Sequence, residues 1–323
     1  MHFSNIKRVL EMKLNQSILC FTFPFIAFWA NANDSAGYIS TGGVEYIKNK
    51  NIQMYSENLF ISKKKIKIDY QFKNLSQQNV TETILFPLPK ILNFTEGDAL
   101  DTQGVLKTFK IVVDGQNIQP KMHVRTFLYD KKSNKDIDIT SEFKQCGFSE
   151  KEMLNPWKRS SIDYEVFEDK LRACKNAKLA QVLKQYNQNV IPWSSQIIYS
   201  WQQTFKANAV THIQHQYEPL IGGGVYMDLI EDKTIYCMDK SFLAGLKKSN
   251  KENSPYHSLG YILTTGANWA KPITDFKITI ERDVGELVSF CWDGAVKKIS
   301  PTQFQMIEKN FTPKQDLNII FVQ

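Results

Sequence analysis

The sequence predicts a mainly β protein: antiparallel β-sandwich units with an inserted α-helical segment. Three observations carry that prediction. Apolar and polar residues alternate with period 2 through residues 52–86 and again from residue 196, the mark of half-buried strands. Between residues 140 and 186 the apolar spacing changes to three and four, the period of a helix. Asp114-Gly115 and Asp293-Gly294 supply tight-turn dipeptides of the kind that join antiparallel strands. At 323 residues, 42% hydrophobic and 23% charged, with 15 Gly and 11 Pro, the composition excludes collagen-like, low-complexity and disordered classes.

Residues 1–32 read as a signal peptide and stand outside the fold. Lys7, Arg8 and Lys13 precede an apolar run over residues 18–29, which ends in Ala30-Asn31-Ala32, an A-x-A cleavage pattern. A run of about twelve apolar residues is too short for a membrane span, which needs about 20. Leu19 before Cys20 departs from the small residue of a lipoprotein signal, so cleavage is expected after Ala32 and no transmembrane span remains. Losing Lys7, Arg8, Lys13 and Glu11 leaves 37 basic and 32 acidic residues, a formal charge of +5. Lys63-Lys64-Lys65 is the densest basic cluster, and it leads straight into a strand rather than forming a face with interleaved aromatics. Nucleic acid is not an expected partner.

The first sandwich is expected over residues 33–130. Ile66, Ile68, Tyr70 and Phe72 alternate with lysines and polar residues; flanking strands are read at 52–62 and 80–86, the latter ending at Pro87-Leu88-Pro89. Residues 106–113 run into Asp114-Gly115, and 118–129 return as the second arm of a hairpin. The helical insert occupies 131–190. Thr140 is read as the cap of a short helix stopping at Gly147, and Ser149-Glu150-Lys151-Glu152 as a capping box. Tyr164, Phe167, Leu171 and Cys174, then Leu179, Val182, Leu183 and Tyr186, place a helix pair over 160–186 with a break near Asn176.

The second β unit is expected over 191–323. Ile197, Tyr199, Trp201 and Phe205 share one face, and residues 210–217 form the next strand. Gly222-Gly223-Gly224 reads as a bend, and Asp239 caps a helix reaching Lys248. Four further strands are read at 261–265, 276–281, 287–292 and 317–322. Pattern alone leaves open whether the two β units are separate domains. Four cysteines follow the leader: Cys146, Cys174, Cys237 and Cys291. An even count in an exported chain reads as two disulfides with three possible connectivities, of which local pairing, Cys146–Cys174 and Cys237–Cys291, is expected.

Several stretches then resemble a known family. Asn33-Asp34-Ser35-Ala36-Gly37 with Thr41-Gly42-Gly43 is similar to the mature N-terminus of the secreted bacterial family of domain of unknown function 4424. Residues 57–62, Phe86-Pro87-Leu88-Pro89, residues 201–205 and 215–219, and Thr264-Thr265-Gly266-Ala267-Asn268-Trp269 carry the same likeness over nearly all of 33–323. The resemblance implies an exported protein of Gram-negative bacteria. It implies no activity and no catalytic residues.

Candidate chemistry is sparse. His212 and His215 are weak candidates for a metal pair, because residues three apart on a strand face opposite ways. No G-x-S-x-G, G-x-G-x-x-G or Walker sequence is present, and no cofactor is expected. Thr264, Thr265, Asn268 and Trp269 combine hydroxyls, a carboxamide and an indole at a strand end, the composition of a binding loop. The competing structural reading has Gly266 turning the chain and Trp269 plugging the sandwich. The expected function is a non-enzymatic binding or structural module of the cell envelope, periplasmic or secreted, its partner another envelope protein or a glycan. The alternatives are an envelope hydrolase with an unrecognised site and a periplasmic metal-binding protein.

Overall fold

The computed structural model describes residues 33–40, 43–92, 102–154, 164–186, 191, 193–225, 227 and 232–323. The leader read at 1–32 lies outside the described residues. The first stretch contributes β1 (Ser35–Ser40), β2 (Gly43–Tyr46), β3 (Ile52–Ile61), β4 (Ile66–Asn74), β5 (Val80–Pro87) and β6 (Ile91–Leu92). In β4 the expected alternation is realised: Ile66, Ile68, Tyr70 and Phe72 are buried, and the residues between them lie nearer solvent. Residues 106–108, expected in a strand, belong instead to helix α1 (Thr102–Thr108). Gly104 lets that helix approach Glu218 so closely that a β-carbon there would lie 2.6 Å from its Oε2.

Strand β7 (Lys110–Val113) and β8 (Gln116–Ile118) form the expected hairpin. Asp114 and Gly115 both take positive φ, 46° and 83°, as a two-residue turn of this twist requires. The second arm is shorter than the sequence implies. It stops before Pro120, and the remainder becomes β9 (Lys121–Asp130) in a different sheet, paired with β10 (Lys135–Asp138). Proline has no N–H to continue a ladder, which makes this a natural crossover point.

The insert folds as α2 (Thr140–Gln145), α3 (Glu150–Leu154), α4 (Tyr164–Ala173) and α5 (Ala177–Leu183). Ser149 and Glu152 form a reciprocal capping box: the Ser149 N–H donates to Glu152 Oε2 at 2.7 Å, and the Glu152 N–H to Ser149 Oγ at 3.2 Å. Asn176 breaks the helix pair by capping α5, its side chain accepting from the Leu179 N–H. The cap expected of Thr140 is absent. Ile139 precedes the helix, and Thr140 Oγ1 accepts instead from the Thr126 N–H at 2.9 Å. Cys146 pairs with Cys174 and Cys237 with Cys291, the local connectivity.

The remaining elements are β11 (Trp193–Phe205), β12 (Val210–Tyr217), β13 (Gly222–Gly224), α6 (Asp232–Ile235), α7 (Lys240–Lys248), β14 (Tyr256–Tyr261), a 3-10 turn (Thr264–Asn268), β15 (Ile273–Glu281), β16 (Leu287–Phe290), β17 (Lys297–Lys298), β18 (Gln303–Phe311) and β19 (Leu317–Val322). Asp239 caps α7 as expected, accepting the Phe242 N–H at 2.7 Å. The triple glycine is an edge strand rather than a bend. A β-carbon at Gly223 would lie 2.3 Å from the Tyr256 carbonyl, so only glycine permits this pairing. The strand expected at 261–265 ends at Tyr261, and the one expected at 287–292 ends at Phe290.

Among the described residues the strands form three sheets, ordered β10-β9-β11-β5-β1-β2 with β6 also on β11, β17-β18-β15-β3-β4-β12-β7-β8, and β13-β14-β19-β16. Pairing is antiparallel except between β3 and β15. Strands from 33–130 and from 191–323 alternate in both large sheets: β11 lies between β5 and β9, and β12 between β4 and β7. One buried cluster spans all three sheets, including Ile68, Phe72, Phe86, Trp201, Ile213, Tyr261, Ile278 and Phe321. A second lies under the insert around Phe143, Leu179 and Trp193. No helix among the described residues is long and apolar enough to cross a membrane.

Candidate functional site

The Thr264–Asn268 turn begins inside the strand expected over 261–265 and lies within the expected loop, and hydrogen bonds from outside the segment hold it. Asp316 Oδ1 accepts the N–H groups of Leu263 and Thr264 at 3.1 and 3.0 Å and the Thr264 hydroxyl at 2.8 Å. Burial pushes the Asp316 carboxyl above the usual carboxylate range, and these three donors oppose the shift. On the next residue, Thr265 Oγ1 accepts from the Asn33 N–H at 2.8 Å and donates to the Asn33 carbonyl at 2.7 Å. Asn268 Nδ2 donates to Ser35 Oγ at 3.2 Å, and Trp269 Nε1 donates to the Asp34 carbonyl at 2.8 Å. Three of the four residues singled out from sequence, Thr265, Asn268 and Trp269, thus come together around segment 33–35, while Thr264 is bound to Asp316. Thr265 and Trp269 are each 1% exposed, and the Trp269 ring centroid lies 4.7 Å from that of Phe72.

Segment 33–35 is itself buried, and it ends a polar pocket inside the main core. Asn33 Nδ2 donates to both Glu57 oxygens, at 3.3 and 3.1 Å, and the Tyr70 hydroxyl donates to Asn33 Oδ1. The Tyr70 and Tyr261 hydroxyls lie 3.5 Å apart. His215 Nε2 and Asp34 Oδ2 are 3.1 Å apart, both side chains wholly enclosed. Phe86 stacks on the imidazole at 4.8 Å, while Tyr70 and Trp201 meet it edge-on at 5.5 Å. Burial raises Glu57 to about 8; the Asn33 hydrogen bonds oppose this and the Asp34 charge adds to it. Asp34 is raised by burial against the pull of His215. Asp34 Oδ1, His215 Nδ1 and Trp201 Nε1 have no hydrogen-bond partner among the described residues.

Sequence reasoning placed His215 on the same face as Ile213 and Tyr217, which the structure shows, but not Asp34 or Glu57 beside it. A signal existed for Glu57. It lies in register with inward-facing Leu59 and Ile61, where a carboxylate is out of place. His212 is exposed on the outer face of β12. No group of three His, Cys, Asp or Glu is arranged to hold a metal ion among the described residues.

Leu263, just before the turn, and Asp316 border a cleft of about 500 Å³, which none of Thr264, Thr265, Asn268 and Trp269 lines. Its aromatic wall is Trp292, stacked 5.8 Å from Phe276 with planes 12° apart, and Phe311, whose ring lies 5.6 Å from Trp292. Asp293, Glu308, Lys314 and Asp316 add charged groups, and Cys291 ties the wall to Cys237. Trp292 Nε1 is buried with no partner among the described residues. Asp293-Gly294, expected to turn a hairpin, instead leads from β16 in one sheet to β17 in another and so opens this cleft. Gly294 sits where a β-carbon would lie 2.1 Å from Glu308 Oε1 and 2.8 Å from Trp292 Nε1.

Residues 32–320 match the sequence model of a family described as Domain of unknown function (DUF4424). No curated protein matches the chain. A provisionally assigned nutrient binding protein from Legionella pneumophila is similar in structure with a TM-score of 0.41 and 13% identity, covering 90% of this chain and 70% of that one. Yeast LTA4 hydrolase is similar with a TM-score of 0.27 and 10% identity, covering 86% of this chain and 31% of its own.

Proposed function

The chain belongs to the DUF4424 family, and we propose that it is an exported, non-enzymatic binding protein of the cell envelope whose cleft takes a small polyhydroxylated ligand, such as a sugar of an envelope glycan. The observation that carries this reading is the pairing of the Trp292 and Phe311 faces with the carboxylates of Asp293 and Glu308 in one cleft of about 500 Å³. An aromatic face accepts the C–H face of a sugar ring, and carboxylates accept from hydroxyls. The volume falls within the range of small-molecule sites. Thr264 supports the cleft indirectly, because its hydroxyl and N–H fix Asp316. The leader pattern and the two disulfides support export.

A hydrolase reading draws less support. The His215–Asp34 pair has the right atoms, yet neither side chain has any solvent exposure. The test is thermal melting of the exported protein with N-acetylglucosamine, glucose and soluble peptidoglycan fragments. Ligand at about 100 times its Kd should stabilise the fold by about 2.7 kcal/mol. Trp292→Phe should weaken that response. A panel that leaves the melting temperature unchanged at millimolar concentration overturns the sugar assignment.

A further inference from the structure

Glu57 is a buried carboxylate with no cationic partner among the described residues; it is held by the Asn33 side-chain amide alone. Asp34 Oδ1, one residue from Asn33, is a second buried acceptor without a donor among the described residues. Asn33, Asp34 and Ser35 have no solvent exposure, and the Asn33 nitrogen already donates to Thr265 Oγ1 at 2.8 Å. Sequence places the expected cleavage immediately before that nitrogen. Uncompensated buried acid and a chain nitrogen expected to become a terminus therefore occupy one pocket.

We propose that cleavage between Ala32 and Asn33 creates an α-ammonium that this pocket receives as the counter-ion of Glu57, so that export processing completes the fold. Hydrolysis by a leader peptidase adds one water across the Ala32–Asn33 peptide bond. Ala32 leaves as a carboxylate, and the Asn33 nitrogen, keeping its proton and gaining two, becomes an ammonium. One N–H continues to serve Thr265, which leaves two for the Glu57 carboxylate, already held by the amide of the same residue, and for the unsatisfied Asp34 Oδ1 next to it in sequence. A buried carboxylate favours its charged form when a cation is adjacent, so the burial that holds Glu57 protonated beside a peptide nitrogen no longer does so beside an ammonium. The charged and titratable groups around the terminus are Glu57, Asp34, His215, Tyr70 and Tyr261.

The test compares three proteins: the chain exported with its own leader, a chain cut from a fusion so that Asn33 is first, and one cut so that a glycine precedes Asn33. At pH 7 the α-amine of the first two should react with an amine reagent at least about tenfold more slowly when folded than when unfolded, because reaction awaits opening. Both should melt above the glycine-extended chain. Glu57→Gln should narrow that gap. If the extended chain fails to fold, Glu57→Gln within it should restore folding, since it removes the uncompensated acid. Equal labelling of folded and unfolded protein overturns the proposal. So do equal melting temperatures, a failed rescue, or an exported chain that starts elsewhere than Asn33.

Discussion

His215 Nε2 and Asp34 Oδ2 lie 3.1 Å apart, both wholly enclosed, joining the inner face of β12 to the first residues after the expected leader. Removing one partner of such a pair strands the other, at a typical cost of about 3–5 kcal/mol. His215→Phe and Asp34→Asn should each lower urea stability by about that amount. The double variant should cost clearly less than the sum, and strict additivity would show that the pair is not coupled.

Trp269 closes the same end of the core. Its indole donates to the Asp34 carbonyl, and its ring packs on Phe72. Trp269→Ala should cost about 3–5 kcal/mol, as large aromatic deletions in cores do. Trp269→Phe should recover much of the packing and none of the hydrogen bond. A melting curve unchanged by Trp269→Ala would place this residue outside the structural role its geometry gives it.

Much of the strand pattern was legible because burial on one face imposes period 2; β4 and β12 follow it residue by residue. What was hidden depends on partners distant in sequence. The loop at Thr264–Trp269 was legible, but its strand was read as running to Thr265, and Asp316 and Asn33, far away in sequence, turn the chain at Thr264. Strand β18 was not read, and in QFQMIEKNF Met306 is its one fully buried residue, so no clean alternation marks it. The polar pocket is assembled from β3, β4, β12 and the 33–35 segment, and no local spacing announces such a group. The parallel pairing of β3 with β15 is equally silent, since register between strands some two hundred residues apart leaves no trace in either.

The two disulfides close loops of different length, 28 and 54 residues. In the chain-entropy model these stabilise by roughly 3.5 and roughly 4 kcal/mol. Paired serine replacements, Cys146→Ser with Cys174→Ser and Cys237→Ser with Cys291→Ser, should lower stability in that order of size. The second should also weaken ligand response, because Cys291 lines the cleft. Intact stability in the doubly reduced protein would refute a stabilising role.

Glu57 sets a pH dependence with a definite sign. While a residue precedes Asn33, its folded pKa is raised from 4.5 to about 8 by burial. The folded state then keeps a proton that the unfolded state releases. Its contribution is complete below about pH 4.5 and is lost as pH rises to about 8. Asp34, also raised by burial, acts in the same direction, so the informative quantity is the difference between the parent and Glu57→Gln. In a glycine-extended chain that difference should vary steeply across this window. A difference independent of pH from 4.5 to 8 would contradict the assignment.

Gly294 lines the cleft and tests its wall directly. It is exposed, and a β-carbon there would meet two groups, Glu308 Oε1 at 2.1 Å and Trp292 Nε1 at 2.8 Å. The carboxylate is the far end of a flexible side chain and can swing aside, but the indole is packed against Phe276 and Phe311, so Gly294→Ala should also lower stability, by about 1–3 kcal/mol as overpacking does. Swinging Glu308 aside removes an acceptor from the cleft, and the methyl group crowds the indole. Sugar-induced stabilisation, measured from the variant's own unliganded melting temperature, should therefore fall in Gly294→Ala. Glu308→Ala combined with Gly294→Ala should relieve the contact with the carboxylate but not the one with the indole, and should not restore the lost acceptor. Full ligand response in Gly294→Ala would move the binding site away from this wall, whatever the outcome at Trp292.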